Sequence, residues 1–390
     1  MKKDENFYKE SLFSFQNPSC VCLVDTINES PTDVKRIFKV IKDDSKLIQF
    51  AFQPNKGVVR INPKTGSVEE DNVLSKLISI DSSSINNFTK FFEKNGFLFP
   101  LNDAMNQIDD ETLLKIISNL QTTVNLMSQI SELTRKDYKR MLASSIYLLF
   151  ASPIEISIGK NTYKISDNKR LKEILKKGRE HSVNPATKQY NKDWEFEVQD
   201  SIYGTHKVHI DTYRHEVDDP ESDEFWKSVY YSYVNYIDAP KNERLLIEVL
   251  FHLYENYGSF YEASATEISF LNKWKVDWKL LEDYRFKQAI LEMSKFAVSE
   301  EINGNLHGIY PEYDMNLMEP RWRVDGLLSA LYFSLFYMKP NVELMRLCAN
   351  PKCGKYFIIS RTSSKKKYCC PECANRANQN RYRARIKGLD

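Results

Sequence analysis

The sequence predicts an α+β chain: a mainly helical body with a small α/β region at its start, a β-hairpin and arm in its middle, and a cysteine-rich module at its C-terminal end. Three observations carry this. Apolar residues recur at helical spacing through much of 111–338, short alternating segments cluster before residue 70 and between 152 and 213, and five of the seven cysteines fall after Arg346. At ~100–200 residues per domain, the 390 residues divide into a small α/β region (1–105), a mostly helical domain with a β-rich insertion near 152–220 (106–340), and the module (341–390).

Cys20 to Thr26 is apolar and β-prone, with both Cys20 and Cys22 expected in the interior. A helix is expected over Asp33 to Ile41, then strands over Lys46 to Gln53 and Gly57 to Glu70, the latter holding the turn Pro63-Lys64-Thr65-Gly66. Ile85, Phe88, Phe91 and Phe92 follow helical spacing and stop at Asn95-Gly96, a C-cap signal. Periodic stretches from Glu111 to Leu133 and Asp137 to Ala151 read as two helices packed as a hairpin, ended by Pro153. Ile154 to Ile165 alternates around Gly159-Lys160-Asn161, a β-hairpin, and Lys169 to Lys177 returns to helix. Residues 181–220 are the least periodic, with strands expected at Trp194 to Val198 and Lys207 to Tyr213, and read as an insertion or arm. Helices then follow at Phe225 to Tyr236, Asn242 to Tyr257, Ala265 to Trp274, Asp277 to Ser299 and Val324 to Met338. Their aromatic stripes are those of a bundle core and not of a cofactor box.

The composition, 42% hydrophobic and 28% charged, is that of an ordinary soluble protein. The first residues are charged where a secretory signal needs an apolar stretch, and the longest apolar runs fall short of the ~18–20 residues that span a bilayer. A cytoplasmic protein with no membrane partner is expected, and in a reducing compartment paired cysteines are metal ligands rather than disulfides. The net charge of +2 conceals an asymmetry: from Arg346 onward twelve Lys or Arg face two acids, so the tail carries +10 and the preceding body −8. A short cationic module on an acidic body points to nucleic acid.

The spacing Cys348-x4-Cys353-x15-Cys369-x3-Cys373 is that of a closed structural zinc site holding one ion, because thiolates are soft ligands that suit tetrahedral zinc. Cys370 competes with Cys369 for the third position, and spacing alone leaves both open. Gly354 to Ser360 forms a short strand after a knuckle, Lys365-Lys366-Lys367 lies in a basic loop, and Ala374 to Lys387 has no helix breaker. Along that helix Arg376, Asn380, Arg383 and Lys387 line one side, while Ala377, Arg381 and Ala384 share another. Lys365, Lys366, Lys367, Arg376, Arg381, Arg383, Arg385 and Lys387 are the candidate phosphate contacts.

The segment resembles the CGNR-type zinc finger, through Cys348, Cys353, Phe357, Tyr368-Cys369-Cys370, Cys373-Ala374-Asn375-Arg376 and the Arg-rich run Arg381 to Arg385. The resemblance implies a knuckle or treble-clef-like finger in which Cys369 is the ligand and Cys370 stands where the family carries serine. Ala374 replaces the signature glycine and Tyr368 the usual tryptophan; neither change removes a ligand. Upstream, Leu23-Val24-Asp25-Thr26 and Trp322 to Met338 resemble more faintly the ABATE region that precedes such fingers in a family described as stress-induced transcription regulators.

A bacterial DNA-binding regulator of transcription or stress response is therefore the first expectation, with DNA preferred over RNA and an unidentified ligand or partner for the body. One finger offers few contacts, which favours a homodimer. Two other classes stay open: a defence or toxin-like effector recruited to nucleic acid by the finger, and a protein-docking scaffold. For an enzyme, the best residues are His206, His209 and Asp211, with His215, Asp218 and Asp219 behind. In a strand His209 and Asp211 would share a face and His206 the other, so they form no ready ligand triad. No serine nucleophile elbow and no HExxH motif occurs.

Overall fold

A computed structural model gives the architecture and describes residues 12–30, 33–69, 71–81, 84–101, 103, 105–132, 136–150, 153–166, 169–182, 195–209, 224–271, 276–315, 318–339, 343–360 and 366–386. The chain forms two compact units. The first comprises Met1–Ser131, Pro153–Ser166 and Ile302–Asp390; the second comprises Glu132–Ser152 and Asp167–Glu301.

The first unit is organised on a four-stranded antiparallel sheet. β1 (Phe13–Ser30) pairs with β2 (Asp33–Gln53) along nearly its whole length, while β3 (Gly57–Ile61) and β4 (Met105–Asp109) share the other edge of β2. Inward residues alternate, as the period of a strand requires. A register shift between Pro18 and Ser19 moves the buried set of β1 from Phe13, Phe15 and Asn17 to Cys20 and Cys22. The helix expected over Asp33 to Ile41 is instead the first part of β2. Val34, Ile37, Phe38 and Ile41 do fit a 3.6-residue period, but Phe38 and Val40 are buried and Ile41 is exposed. Pairing with β1 on one side and β4 on the other overrides the local preference.

α1 (Val73–Ile78) and α2 (Ile85–Asn95) pack apolar faces into the same core, and Gly96, at φ 74°, ends α2 as the sequence indicated. α3 (Asp110–Ser131) begins at Asp109, whose carboxylate accepts the Thr112 N–H at 2.8 Å. The expected hairpin forms from β5 (Ile154–Ile158) and β6 (Asn161–Ile165).

In the second unit α4 (Tyr138–Phe150) and α5 (Lys169–Ser182) precede the hairpin β7 (Glu195–Asp200) and β8 (Gly204–His209). Thus the two periodic stretches expected to pair as a helical hairpin belong to different units, α3 to the first and α4 to the second. α6 (Glu224–Asn235) and α7 (Lys241–Tyr257) follow, then β9 (Phe260–Ala263) and β10 (Ile268–Phe270). The helix expected over Ala265 to Trp274 is therefore wrong for residues 265–271, and 272–274 lie outside the described residues. Ser264 closes a turn by accepting the Glu267 N–H, and Phe270 leaves it as a strand residue against Tyr257 and Trp278. A 3₁₀ turn at Lys279–Glu282 precedes α8 (Tyr284–Gly304), where one continuous helix was expected.

The chain returns to the first unit through the hairpin β11 (Ile309–Asp314) and β12 (Glu319–Val324), then α9 (Leu327–Tyr337). It ends in a further hairpin, β13 (Glu343–Leu347) with β14 (Tyr356–Ser360), and in α10 (Pro371–Ile386). Among the described residues no helix is long and apolar enough to cross a membrane.

Candidate metal centre

The cysteine module is built from β13, a knuckle, β14 and α10. Cys348 follows β13 directly, and its N–H donates to Lys355 O at 2.8 Å, closing a loop that carries Cys353 back beside it. Gly354, at φ 64°, makes that return, in a backbone region disfavoured for residues with a Cβ. Cys353 N donates to Asn350 O at 2.9 Å, and Ala349 N donates to Lys367 O at 2.8 Å, tying the second cysteine pair to the first. Pro371 opens α10 at the position where a missing N–H costs nothing, so Cys373 sits in the first turn, above the positive end of the helix.

The result is a convergence of four sulfurs. The Sγ atoms of Cys348, Cys353, Cys369 and Cys373 all lie within 4.8 Å of one another. Cys353 to Cys369 and Cys369 to Cys373 are each 3.6 Å. A tetrahedral zinc with bonds of about 2.3 Å puts its sulfurs ~3.8 Å apart, so the donor set fits that ion. Cys370 Sγ is 3.8 Å from Cys369 Sγ but is not one of the four. A hydrogen bond from Cys370 instead holds the Glu372 carboxyl below its ordinary value. The thiols ionise unequally: hydrogen bonding by the Asn350 side chain lowers the Cys373 thiol to about 7, whereas burial first, and neighbouring thiols, push Cys369 and Cys353 up. A cation between them removes the cost of ionising those two.

The hairpin half of the module is anchored to the body of the first unit. Ser75 Oγ donates to Tyr356 O, Tyr356 N donates to Ser79 Oγ at 2.8 Å, and Asn125 donates to the Tyr356 hydroxyl at 3.0 Å. Met345, Tyr356 and Ile359 are buried. Both α1 and α3 thus hold the finger.

α10 keeps Cys373 and Ala377 inward, while Arg376, Arg381 and Arg383 are exposed. Arg381 is engaged within the module, donating to the Tyr368 hydroxyl and to Asn378 Oδ1, both at 2.8 Å. Lys366 and Lys367 are exposed, the former 5.5 Å from the Phe357 ring centre. Lys365, Lys387 and the side chain of Arg385 lie outside the described residues.

Of the histidine segment, His206 and His209 are described; Asp211, His215, Asp218 and Asp219 lie outside the described residues. His209 is exposed, while His206 Nε2 is 3.1 Å from the Tyr233 hydroxyl. That contact opens onto a buried polar network which the sequence reading missed. Asp200 Oδ1 accepts the N–H groups of Ile202 and Tyr203, and Oδ2 accepts from the Tyr233 hydroxyl and His252 Nε2, all at 2.7 Å. Arg244 Nε donates to Glu248 Oε1 at 3.0 Å, and Ser201 donates to the other oxygen of Glu248. Burial disfavours charge here, yet hydrogen bonds from His252 and Tyr233 hold Asp200 well below the carboxylate range, and Asp200 with Glu255 raises His252 to about 9. The readable signal was Arg244, Glu248 and His252, spaced four apart on one face of α7. Among the described residues only the cysteines bring three or more potential ligand atoms to one point.

Residues 345–386 match the family described as the CGNR zinc finger. No curated protein and no solved structure was found to match the chain. The matched stretch together with the clustered sulfurs makes this a four-cysteine zinc finger suited to one structural ion.

Proposed function

We propose that the chain is a cytoplasmic, zinc-stabilised nucleic-acid-binding protein of the bacterial regulator class, with DNA as the preferred partner. Cys348, Cys353, Cys369 and Cys373 ligate one zinc, which supplies no reaction but fixes the knuckle against the first turn of α10. The observation that carries the reading is the construction of that helix: Cys373 and Ala377 face the module while Arg376 and Arg383 stand exposed on a tail of charge +10. Arginine suits the task because its planar fork binds phosphate or a guanine edge in a bidentate way. Lys365, Lys366, Lys367, Arg381, Arg385 and Lys387 add to the same electrostatic footprint.

The test is fluorescence anisotropy of the purified chain with labelled duplex DNA, duplex RNA and single strands over a series of salt concentrations. If about five cations meet duplex phosphates, log affinity falls against log salt with a slope of roughly −4 to −5. Arg376→Gln with Arg383→Gln makes that slope shallower by about two. Binding that does not respond to salt, or that favours neither nucleic acid over a protein fraction, overturns the reading in favour of a docking scaffold.

A further inference from the structure

A cavity of about 640 Å³ opens in the first unit beside the start of α9, away from the cysteine module. Its volume lies within the ~300–1,000 Å³ of small-molecule sites. Its apolar lining is made by Leu98, Phe99, Leu101, Val324 and Leu328, all buried. α9 lines it through Leu328 and approaches closely at its N-cap, Gly326, where a Cβ would stand 3.1 Å from Pro100 Cδ and 3.3 Å from Leu98 O. Tyr163 and Tyr310, from two different hairpins, line it with aromatic rings; Tyr163 lies tilted against Phe99 at 5.1 Å, and the Arg323 guanidinium stands 4.9 Å from Tyr310.

The cavity's charged lining residues are two lysines and one acid. Lys42 reaches it from β2 and Lys164 from β6, against one acid, Asp325, whose carboxylate is 3.3 Å from Arg323. Each lysine meets a carboxylate outside the lining, Asp44 at 2.7 Å and Glu155 at 2.8 Å, and those acids are 78% and 58% exposed. Exposed pairs of this kind hold by ~0–1 kcal/mol, so the Lys42 ammonium can leave Asp44 for a ligand at little cost, and Lys164 shares the lining with it. Asn161 and His307 add polar groups at the rim.

We propose that this cavity binds a small organic anion with a planar apolar body, the ring entering between the tyrosines over the apolar lining and the carboxylate meeting Lys42 and Lys164. A planar ring matches the aromatic walls, and a single negative charge matches the excess of one positive charge in the lining. The inference is independent of the nucleic-acid reading, since none of the residues it uses belongs to the finger.

The test is isothermal titration of the zinc-loaded full-length chain with indole-3-acetate as the probe and indole-3-ethanol as its neutral counterpart. Saturable 1:1 binding of the anion is expected, about tenfold or more tighter than the alcohol, and a loss of about tenfold in the Lys42→Gln/Lys164→Gln double variant. Both lysines are at the surface, so the double variant should keep its zinc content and circular dichroism. Asn161→Trp, at the exposed rim, should block entry. No saturable binding up to about 10 mM, equal affinity for the alcohol, or undiminished affinity in the double variant overturns the proposal.

Discussion

The cysteine module and the buried network around Asp200 are both convergences of polar side chains, yet they are made in opposite ways. In the first, four sulfurs come from 26 consecutive residues and are gathered by a knuckle and a helix start. In the second, Asp200, Tyr233, Arg244, Glu248 and His252 come from a hairpin and two helices and are gathered by packing. The local site is specified by spacing and completed by an ion. The dispersed one pairs its charges within the protein, Arg244 with Glu248 and His252 with Asp200, and leaves only Arg244 Nη2 among these five side chains buried without a partner. Local sites should therefore fail by losing their ion, and dispersed ones by losing a partner.

The largest expected effect is on the metal side. Zinc binding is worth about 10–16 kcal/mol in isolated finger peptides, so Cys373→Ser should abolish stoichiometric zinc and unfold α10 rather than trim its stability. The anchored hairpin should respond less, because Tyr356 remains tied to Ser75, Ser79 and Asn125. Hydrogen exchange resolves the two: protection lost across 371–386 and retained at β14 supports the contrast, while equal loss at both shows that zinc holds the hairpin as well.

What was legible in the sequence follows the same division. The finger's strand and helix, the Gly96 cap and the β5–β6 hairpin all rest on contacts between near neighbours, and each forms where the residues indicated. The start of β2 was not legible, because Ile37, Phe38 and Ile41 satisfy a helical period and only pairing with β1 and β4 shows that Ile41 is outside. β10 failed for the same reason, being defined by a turn at Ser264 and a partner strand. His252 was visible as a residue but its partner lies 52 positions away. No spacing rule reaches that far.

The next effect breaks the dispersed site. Asp200→Ala leaves a buried imidazolium, a tyrosine hydroxyl and two backbone N–H groups without their acceptor, and removing one member of a buried ion pair costs ~3–5 kcal/mol. Urea unfolding followed by tryptophan fluorescence should register it, with zinc content unchanged. A loss below ~1 kcal/mol shows the network to be dispensable.

The same network predicts a pH dependence. His252 is raised from 6.5 to about 9 by Asp200 and Glu255, so the folded chain holds a proton there that the unfolded chain releases. Its contribution, roughly 3 kcal/mol at most, is fully present below about pH 6.5 and is lost as the pH rises through 9. Glu248, an acid raised by burial, also loses stability with rising pH, so the comparison that isolates His252 is His252→Gln, whose profile between pH 6.5 and 9 should be the flatter. Parallel profiles for the two proteins show that the histidine is neutral in the fold.

The smallest effect discriminates best at the metal site. Cys369 and Cys370 are adjacent thiols, and spacing alone permits either as the third ligand. Cys369 Sγ lies 3.6 Å from both Cys353 and Cys373, whereas Cys370 lies outside the group of four and hydrogen-bonds Glu372 as well as the Cys369 thiol. Removing an outer partner of a metal ligand costs about 10–100-fold in affinity, but that figure applies to groups that orient the ligand. Cys370 touches the Cys369 thiol at 3.8 Å, but serine keeps a hydrogen-bonding group there, so Cys370→Ser should keep one zinc per chain with a change in affinity below about tenfold, while Cys369→Ser loses the ion. Zinc retained by Cys369→Ser and lost by Cys370→Ser would reverse the assignment. The turn before α10 would then have to rotate to present the second thiol, moving Pro371 from the helix start it now occupies.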